Sequence, residues 1–99
     1  MSVNLVILLG NFGKDPELGE GKSSYCRFSI ATTSDYKGKQ ETTWHNLVAF
    51  GKTAEVIVQY FSKGDPIYIE GRLKTEEYQG KTNTSIIVEK FSFIGRKDN

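Results

Sequence analysis

Four aromatic side chains of this 99-residue chain stand near basic residues, and rings beside cations suit a flat, anionic ligand. The aromatic residues are Tyr36, Trp44, Phe50 and Tyr78. The neighbouring basic residues are Lys37, Lys39, Lys52, Arg72, Lys74 and Lys81. A ring can stack on any nucleic-acid base, which contributes about 1–3 kcal/mol per base, while cations neutralise phosphates. The pattern favours a ligand with exposed bases on an anionic backbone, although Glu76 and Glu77 should weaken the contact at Tyr78.

The strand that carries two of these rings has an unusual pattern. Residues 43–50 alternate, so that Trp44 and Phe50 share one face while Leu47 and Ala49 share the other. A half-buried strand normally has one apolar and one polar face, but here both faces carry apolar residues. The Leu47 face can serve as core. Two interpretations therefore remain. Either Trp44 and Phe50 are core residues and the tyrosines have no binding role, or the two side chains form a binding surface for a second partner.

No set of residues in the sequence predicts catalysis, a cofactor or a bound metal. His45 is the only histidine, and it has no nearby cysteine or second histidine with which to share a metal ion. No Ser, His and Asp set for nucleophilic catalysis is recognisable around it. Gly51-Lys52-Thr53 is similar to the end of a phosphate-binding P-loop, but Asn46 occupies the position that requires the first glycine. We therefore expect a protein that is not an enzyme and needs no cofactor.

The composition of the chain limits the classes of protein to which it can belong and the compartments that suit it. Thirteen basic and twelve acidic residues leave a formal charge of +1, so the whole-chain charge neither supports nor excludes a nucleic-acid ligand. Cys26 is the single cysteine and cannot form an internal disulfide, which suits a reducing compartment. No apolar run approaches the roughly 20 residues that cross a membrane, and the N-terminus lacks the basic region of a signal peptide. We expect one domain over residues 1–99, located in the cytoplasm.

Hydrophobic periodicity predicts five strands and one helix. The strands are expected at residues 3–9, 24–33, 43–50, 66–75 and 84–94, with polar hairpin loops at 34–42 and 76–81. The helix is expected from an apolar stripe that consists of Ala54, Ile57, Val58 and Phe61. Thr53 is expected to cap this helix and Gly64 to end it. Residues 3–9 are apolar at nearly every position, which predicts that both faces of that strand are buried, one of them by a neighbouring subunit.

The order of these elements predicts the fold class. An all-β chain with one short helix between strands three and four has the plan of the OB-fold, a five-stranded Greek-key barrel. This architecture commonly binds oligonucleotides or oligosaccharides across strands two and three. Trp44 and Phe50 belong to the third predicted strand, so the unexplained aromatic residues fall where the usual site of this fold lies.

Seven blocks of the sequence, in order, resemble the bacterial and phage single-stranded DNA-binding protein (SSB) family. The blocks are NLVILLGN at 4–11, GKDPE at 13–17, FSIAT at 28–32, TWH at 43–45, FGK at 50–52, KGD at 63–65 and YIEGRL at 68–73. Together they extend over nearly the whole chain. The resemblance implies an OB-fold that forms homo-oligomers, usually tetramers although a dimer is conceivable, and that wraps single-stranded DNA without sequence preference during replication, recombination and repair.

The resemblance also implies residue roles. The family's base-stacking aromatics fall on Trp44, Phe50, Tyr36 and Tyr78, and the last two positions often hold tryptophan in the family. Residues 3–9 would form a subunit-contact strand, with His45 near that contact. Members of the family usually continue into a flexible linker and an acidic tip that recruits replication and repair proteins. Here the sequence stops directly after the last predicted strand, so we expect no acidic C-terminal tail, and the sequence leaves open whether replication and repair proteins are partners.

An alternative function uses the same aromatic face for protein contacts. In that case the chain would be an OB-fold adaptor within a replication or primosome complex. Binding of DNA that does not respond to salt, together with strong binding of proteins, would favour the adaptor.

Overall fold

Five long β-strands close into a barrel in the computed structural model, which describes residues 1–19, 21 and 23–95. The long strands are β1 (Val6–Phe12), β3 (Tyr25–Tyr36), β4 (Lys39–Phe50), β5 (Pro66–Tyr78) and β6 (Lys81–Phe93). A two-residue strand, β2 (Glu17–Leu18), pairs with the beginning of β3, and helix α1 (Gly51–Tyr60) connects β4 to β5. The expected fold class is confirmed, because the helix lies between the third and fourth long strands. The segment after Gly95, where the sequence predicts no acidic tail, lies outside the described residues.

The barrel closes through the order β1-β5-β6-β4-β3, with β3 returning to β1. The β4–β6 contact is parallel and the other pairings are antiparallel. Alternate side chains fill the interior, where Ile30, Ile67 and Ile69 are fully buried and Phe12 stacks on Phe28 with ring centroids 5.0 Å apart. Each fully buried aliphatic side chain contributes about 1.5–3 kcal/mol. The predicted inward set of β3, which includes Cys26 and Phe28, is confirmed as core.

Helix α1 closes one end of the barrel and starts earlier than its periodicity predicts. Ala54 and Ile57 are fully buried, so the apolar stripe is confirmed, but the prediction that Thr53 caps the helix is wrong. Thr53 is the third helical residue, and the cap position is Phe50, whose side chain makes no capping hydrogen bond. The chain instead turns at Gly51, which has a φ of +61° and donates its backbone N–H to Ser24 O at 2.8 Å. A positive φ is accessible to glycine without steric cost, so no side-chain cap is needed for this turn.

The end of α1 also differs from the sequence-based prediction. The last helical residue is Tyr60, and Phe61 is already extended while its N–H bonds to Ile57 O at 3.1 Å. Gly64 does adopt a left-handed φ of +90°, but it lies in the following turn, where its N–H bonds to Phe12 O at 2.9 Å. Phe61 leaves the helix early because its ring is buried against Phe12, with centroids 5.2 Å apart. Core packing therefore ends the helix before the glycine does.

Strand β1 exposes one apolar face in the single chain, and the burial of that face by a neighbouring subunit stays a prediction. Leu5, Ile7 and Leu9 are 58%, 54% and 56% exposed, whereas the intervening Val6 and Leu8 pack against the core. The strand also lies three residues later than predicted. Before it begins, the side-chain amide of Asn4 both donates to and accepts from the backbone of Leu73, at 2.9 Å in each case, and continues the ladder with β5.

Two long hairpins replace the predicted polar loops. Strands β3 and β4 remain paired as far as Tyr36 and Lys39, and β5 and β6 remain paired as far as Tyr78 and Lys81. The turns consist of Lys37-Gly38, with φ values of +50° and +77°, and Gln79-Gly80, with φ values of +52° and +77°. Two positive φ angles are the mark of the type I′ turn, which matches the twist of a hairpin. Both faces of these hairpin ends are exposed to solvent, so the sequence carries no apolar alternation there.

Within the described parts of the chain, no helix has the length and hydropathy to cross a membrane.

Candidate nucleic-acid interface

The strand register places Trp44 and Phe50 on the outer face of the barrel. Directly opposite residues on antiparallel strands share a face, and Trp44 lies opposite Ala31 while Phe50 lies opposite Tyr25. The core residues of β3 and β4 occupy the alternate positions of these strands and therefore lie on the inner face. Trp44 and Phe50 are accordingly 58% and 52% exposed, which excludes the interpretation that they are core residues. This face therefore has two large rings without a partner inside the described chain.

An open groove of about 830 Å³ crosses this outer face between the β3–β4 sheet and the β5–β6 hairpin. Val48 and Ile87, which are neighbours across the parallel β4–β6 contact, line it with almost completely buried side chains. Its other prominent lining residues are Lys14, Arg27, Ser29, Asn46, Phe50, Lys74, Glu76, Glu77, Tyr78, Asn83 and Ser85. The groove thus combines an apolar floor with walls of aromatic, amide and basic side chains. Such a surface can accept bases against the rings and phosphates against the cations.

Trp44 is held beside this groove by a glycine. A Cβ atom added to Gly13 would lie 2.5 Å from Cζ3 and 2.9 Å from Cη2 of the indole. Gly13 bonds to Ser29 O on β3, so the indole extends from β4 across β3 to reach it. The outer face of β3 has only small side chains at this point, Ser29 and Ala31, which leaves room for the ring to lie across the strand. One side of the ring is supported while more than half of its surface faces solvent.

The other predicted stacking residues occupy different positions. Phe50 and Tyr78 both line the groove, and Tyr78 is 69% exposed near the tip of the β5–β6 hairpin. Tyr36 is 59% exposed at the tip of the β3–β4 hairpin. In the alternation along β3 it falls on the same side as the core residues Cys26 and Phe28, not on the side that faces the groove. Trp44 and Tyr36 are not among the residues that line the groove. The structure therefore brings Phe50 and Tyr78 to one cavity, and it places Trp44 on the adjoining outer face.

The predicted phosphate-binding cations are exposed but dispersed. Lys74 lines the groove and pairs with Glu76 at 3.9 Å, whereas Arg72 pairs with Glu89 at 3.8 Å. Lys37 lies 5.4 Å from the centroid of the Tyr36 ring, where a cation is attracted to the π-face. The remaining predicted cations, at the hairpin tips and at the start of α1, are Lys39, Lys52 and Lys81. Exposed ion pairs contribute little to stability, so ligand phosphates can displace the acidic partners of Lys74 and Arg72.

Sequence reasoning missed two cations that line the groove. Arg27 has outward parity between Tyr25 and Ser29, and this alternation is a signal that could have identified it. Lys14 follows Gly13 in a loop, and only the tertiary structure brings it to the same cavity as Arg27. Asn46 and Asn83 add amide groups there, although nothing in the sequence distinguishes them from other polar strand residues.

Three further polar groups have defined environments that do not suggest catalysis. His45 is half-buried, and its Nε2 is 2.8 Å from Oγ1 of Thr32. Burial raises the pKa of the Cys26 thiol to about 11, so the reactive thiolate is disfavoured at neutral pH. The Tyr68 hydroxyl donates to a carboxylate oxygen of Glu70 at 2.9 Å, and this hydrogen bond raises the pKa of Tyr68. Among the residues described by the structure, no three His, Cys, Asp or Glu side chains are grouped to hold a metal ion.

Comparison with known proteins identifies relatives over the length of this barrel. The chain is 34% identical to a single-stranded DNA-binding protein of Neisseria meningitidis, an alignment that includes 99% of this chain and 63% of the relative. It is 36% identical to single-stranded DNA-binding protein 1 of Chlorobaculum tepidum, over 98% of this chain and 68% of the relative. The chain thus spans less than two thirds of the length of the Neisseria protein.

A solved structure has the same fold. The SSB of Plasmodium falciparum, in a complex with ssDNA, superimposes with a TM-score of 0.86 at 27% identity and matches 95% of this chain and 96% of that one. The model of the single-strand binding protein family matches residues 3–94, which contain every long strand, helix α1 and the groove. The chain therefore belongs to the single-strand binding protein family.

Proposed function

We propose that this chain binds and protects single-stranded DNA, without sequence preference and without catalysing a reaction, during replication, recombination and repair. The observation that carries the proposal is the outer face of β4, where Trp44 and Phe50 are more than half exposed beside an open groove. Large aromatic side chains on a soluble domain normally bury most of their surface, and two unpartnered rings beside cations match the needs of exposed bases. Family membership and the ssDNA-bound Plasmodium structure support the same ligand.

The binding mode follows from the shape and chemistry of the groove. Bases stack on Phe50, Trp44 and Tyr78, with Tyr36 available at the hairpin tip, while cations contact the phosphates. The floor formed by Val48 and Ile87 offers no directional hydrogen-bond donors or acceptors from its side chains, so it does not distinguish one base from another. Glu76 and Glu77 lie on the Tyr78 side of the groove, and they make the Phe50 side the stronger part of the site.

We also propose that the exposed apolar face of β1 is the contact through which the chain forms a homo-oligomer, a tetramer or a dimer. Ile7 and Leu9 of β1 and Leu5 directly before it are exposed at alternate positions, and alternate residues of an extended segment share one face that can be buried together. The proposed location of His45 near this contact remains a prediction. Recruitment of replication and repair proteins is not proposed for the described residues.

Titration of the protein with oligo-dT tests the proposed function. Trp44 is the single tryptophan, so intrinsic fluorescence reports on the indole itself. We expect strong quenching that weakens as salt increases, because each neutralised phosphate changes log K by about −0.7 per unit of log salt concentration. A folded protein that shows neither quenching nor binding would contradict the proposal and favour the adaptor function.

A further inference from the structure

A second, smaller cavity of about 220 Å³ adjoins the groove where β2 pairs with β3. Its lining includes Lys14, Glu17, Leu18, Tyr25 and Arg27. Lys14 and Arg27 line both cavities, so the two spaces meet at this pair of cations. The groove can therefore continue around the edge of the sheet, and its continuation contains an aromatic ring that the sequence analysis did not assign to the site.

The ring of Tyr25 is supported in the same way as that of Trp44. Its hydroxyl end lies against Gly19, where an added Cβ atom would collide with the ring, and Gly19 N–H donates to Tyr25 O at 2.8 Å. The parallel with Trp44 is close, since the indole rests on Gly13, the first residue of the same connection between β1 and β3. Both rings lie on glycine backbone on one side, and Tyr25 is half-buried and lines the cavity. A ring that is fixed on one side and accessible on the other is suited to stacking.

The register connects Tyr25 to the main site. Tyr25 lies directly opposite Phe50, so the two residues are cross-strand neighbours, and Phe50 lines the groove. Arg27 is the next outward residue on β3, and it lies opposite the floor residue Val48. A strand of nucleic acid that leaves Phe50 along this face therefore meets Arg27 and Tyr25 together.

The charges in the small cavity suit one linking phosphate on its groove side. Lys14 and Arg27 supply two cations there. The carboxylate of Asp15 accepts the backbone N–H of Lys63 at 2.7 Å, and Glu17 lies opposite Arg27 in the β2–β3 pairing. Both carboxylates oppose an anion and line only the small cavity, whereas Lys14 and Arg27 also line the groove, which places the phosphate on the groove side.

We propose that this cavity is an additional subsite for one nucleotide, in which Tyr25 stacks on a base while Lys14 and Arg27 bind the phosphate that joins it to the groove. The proposal rests on the proposed binding of single-stranded DNA. Tyr25 would be the fifth aromatic ring that contacts the DNA, and the DNA would continue past Phe50 toward the β2–β3 edge of the sheet. The ligand class is a nucleotide within a strand, because the cations that hold its phosphate also line the main groove.

Binding of oligo-dT of increasing length tests the subsite. We expect Tyr25→Leu to weaken binding of long oligonucleotides by roughly tenfold and to leave unchanged the shortest ones that fill only the groove, because a lost stacking platform affects one base. Tyr25→Phe retains the ring and should restore normal binding. Lys14→Ala should reduce the dependence of log K on log salt by about 0.7, while Lys63→Ala, an exposed lysine outside both cavities, should not change it.

The outcomes separate the subsite from the function on which it rests. If the wild-type chain fails to bind oligo-dT, the proposed function itself is wrong. If the wild type binds and Trp44→Ala weakens binding, but Tyr25→Leu equals the wild type at every length, the subsite alone is overturned. Equal weakening at all lengths would also overturn it, because Tyr25 would then act on the main groove. Should Tyr25→Leu fail to fold by circular dichroism, Lys14→Ala decides: a salt dependence that falls only for long oligonucleotides supports the subsite, and one that is unchanged or falls equally at all lengths contradicts it.

Discussion

Trp44 rests on Gly13 so closely that a methyl group at residue 13 would come within 2.5 Å of the indole. Trp44 belongs to β4, whereas Gly13 directly follows β1, and β3 lies between these two strands. A side chain at Gly13 would lift or rotate the indole, because ordinary contacts between carbon atoms need about 3.5–4.0 Å. Gly13 therefore acts as a positioning residue for Trp44, and its small size determines where the exposed face of the ring points.

Gly13→Ala should weaken DNA binding through Trp44. Gly13 does not have a positive φ, so alanine is compatible with the backbone and the fold should survive. We expect weaker quenching by oligo-dT and a loss of binding free energy of up to about 1–3 kcal/mol, the contribution of one stacked base. A double-mutant cycle with Trp44→Ala checks the mechanism. If Gly13→Ala weakens binding as much in the Trp44→Ala background as alone, the positioning role is wrong.

Trp44→Ala and Phe50→Ala should each weaken binding of oligo-dT by about 1–3 kcal/mol while the protein stays folded. Both side chains are more than half exposed, so their removal costs the core little. Fluorescence anisotropy with labelled oligo-dT measures the effect in both variants. Tyr60→Ala is the control, because Tyr60 is an exposed aromatic residue on α1 outside the groove lining. Unchanged affinity in both folded variants would refute their stacking roles.

Charge changes at Lys74 and Glu76 should have opposite effects on DNA binding. Lys74 lines the groove and its ammonium group is 3.9 Å from the Glu76 carboxylate. Lys74→Ala removes a phosphate contact and should reduce the salt dependence of log K by about 0.7. Glu76→Gln removes repulsion of the phosphates and frees Lys74, so it should strengthen binding at low salt. Affinities measured at several salt concentrations test both variants, and the same slope for Lys74→Ala as for wild type would exclude this contact.

A charged residue on the exposed face of β1 should dissociate the proposed oligomer. Ile7 and Leu9 are more than half exposed in the single chain and face away from the core. Ile7→Glu would place carboxylates into a contact between apolar faces, and an unpaired buried charge is strongly unfavourable. Light scattering coupled to gel filtration should show a multimer for wild type and a monomer for this variant. A wild-type protein that is monomeric at micromolar concentration would contradict the proposed contact.

The buried thiol of Cys26 should make stability fall at alkaline pH. Burial raises its pKa from 9.0 to about 11, so the unfolded chain loses this proton at lower pH than the folded chain. The stabilisation is therefore complete below pH 9 and is lost as pH rises from 9 toward 11. Denaturant unfolding of wild type and Cys26→Ala at several pH values isolates this contribution. The difference in unfolding free energy between the two proteins should shrink across that interval, and a constant difference would show that the thiol does not titrate there.

Local patterns in the sequence determined much of the barrel. The alternation of Cys26, Phe28 and Ile30 identified the inward face of β3, and the stripe with Ala54 and Ile57 identified α1. These predictions succeeded because burial imposes a period of two on strands and of 3.6 on helices within a few consecutive residues. The same reasoning missed the hairpin ribbons beyond the barrel, where both faces meet solvent and no period is imposed. It also misplaced both ends of α1, which are set by the turn at Gly51 and by the burial of Phe61.

The identity of the exposed rings could be predicted from the sequence, but their arrangement could not. Trp44 and Phe50 stood out because a single strand had large apolar residues on both faces. That Trp44 rests on Gly13, and that Lys14 shares a cavity with Arg27, depends on the order in which strands close the barrel. Residues that are distant along the chain come together only through that closure, and each of their side chains is compatible with many other neighbours. The sequence by itself therefore identified four aromatic side chains and six cations that could bind DNA, and the tertiary structure decided which of them face one groove and added Lys14 and Arg27 to it.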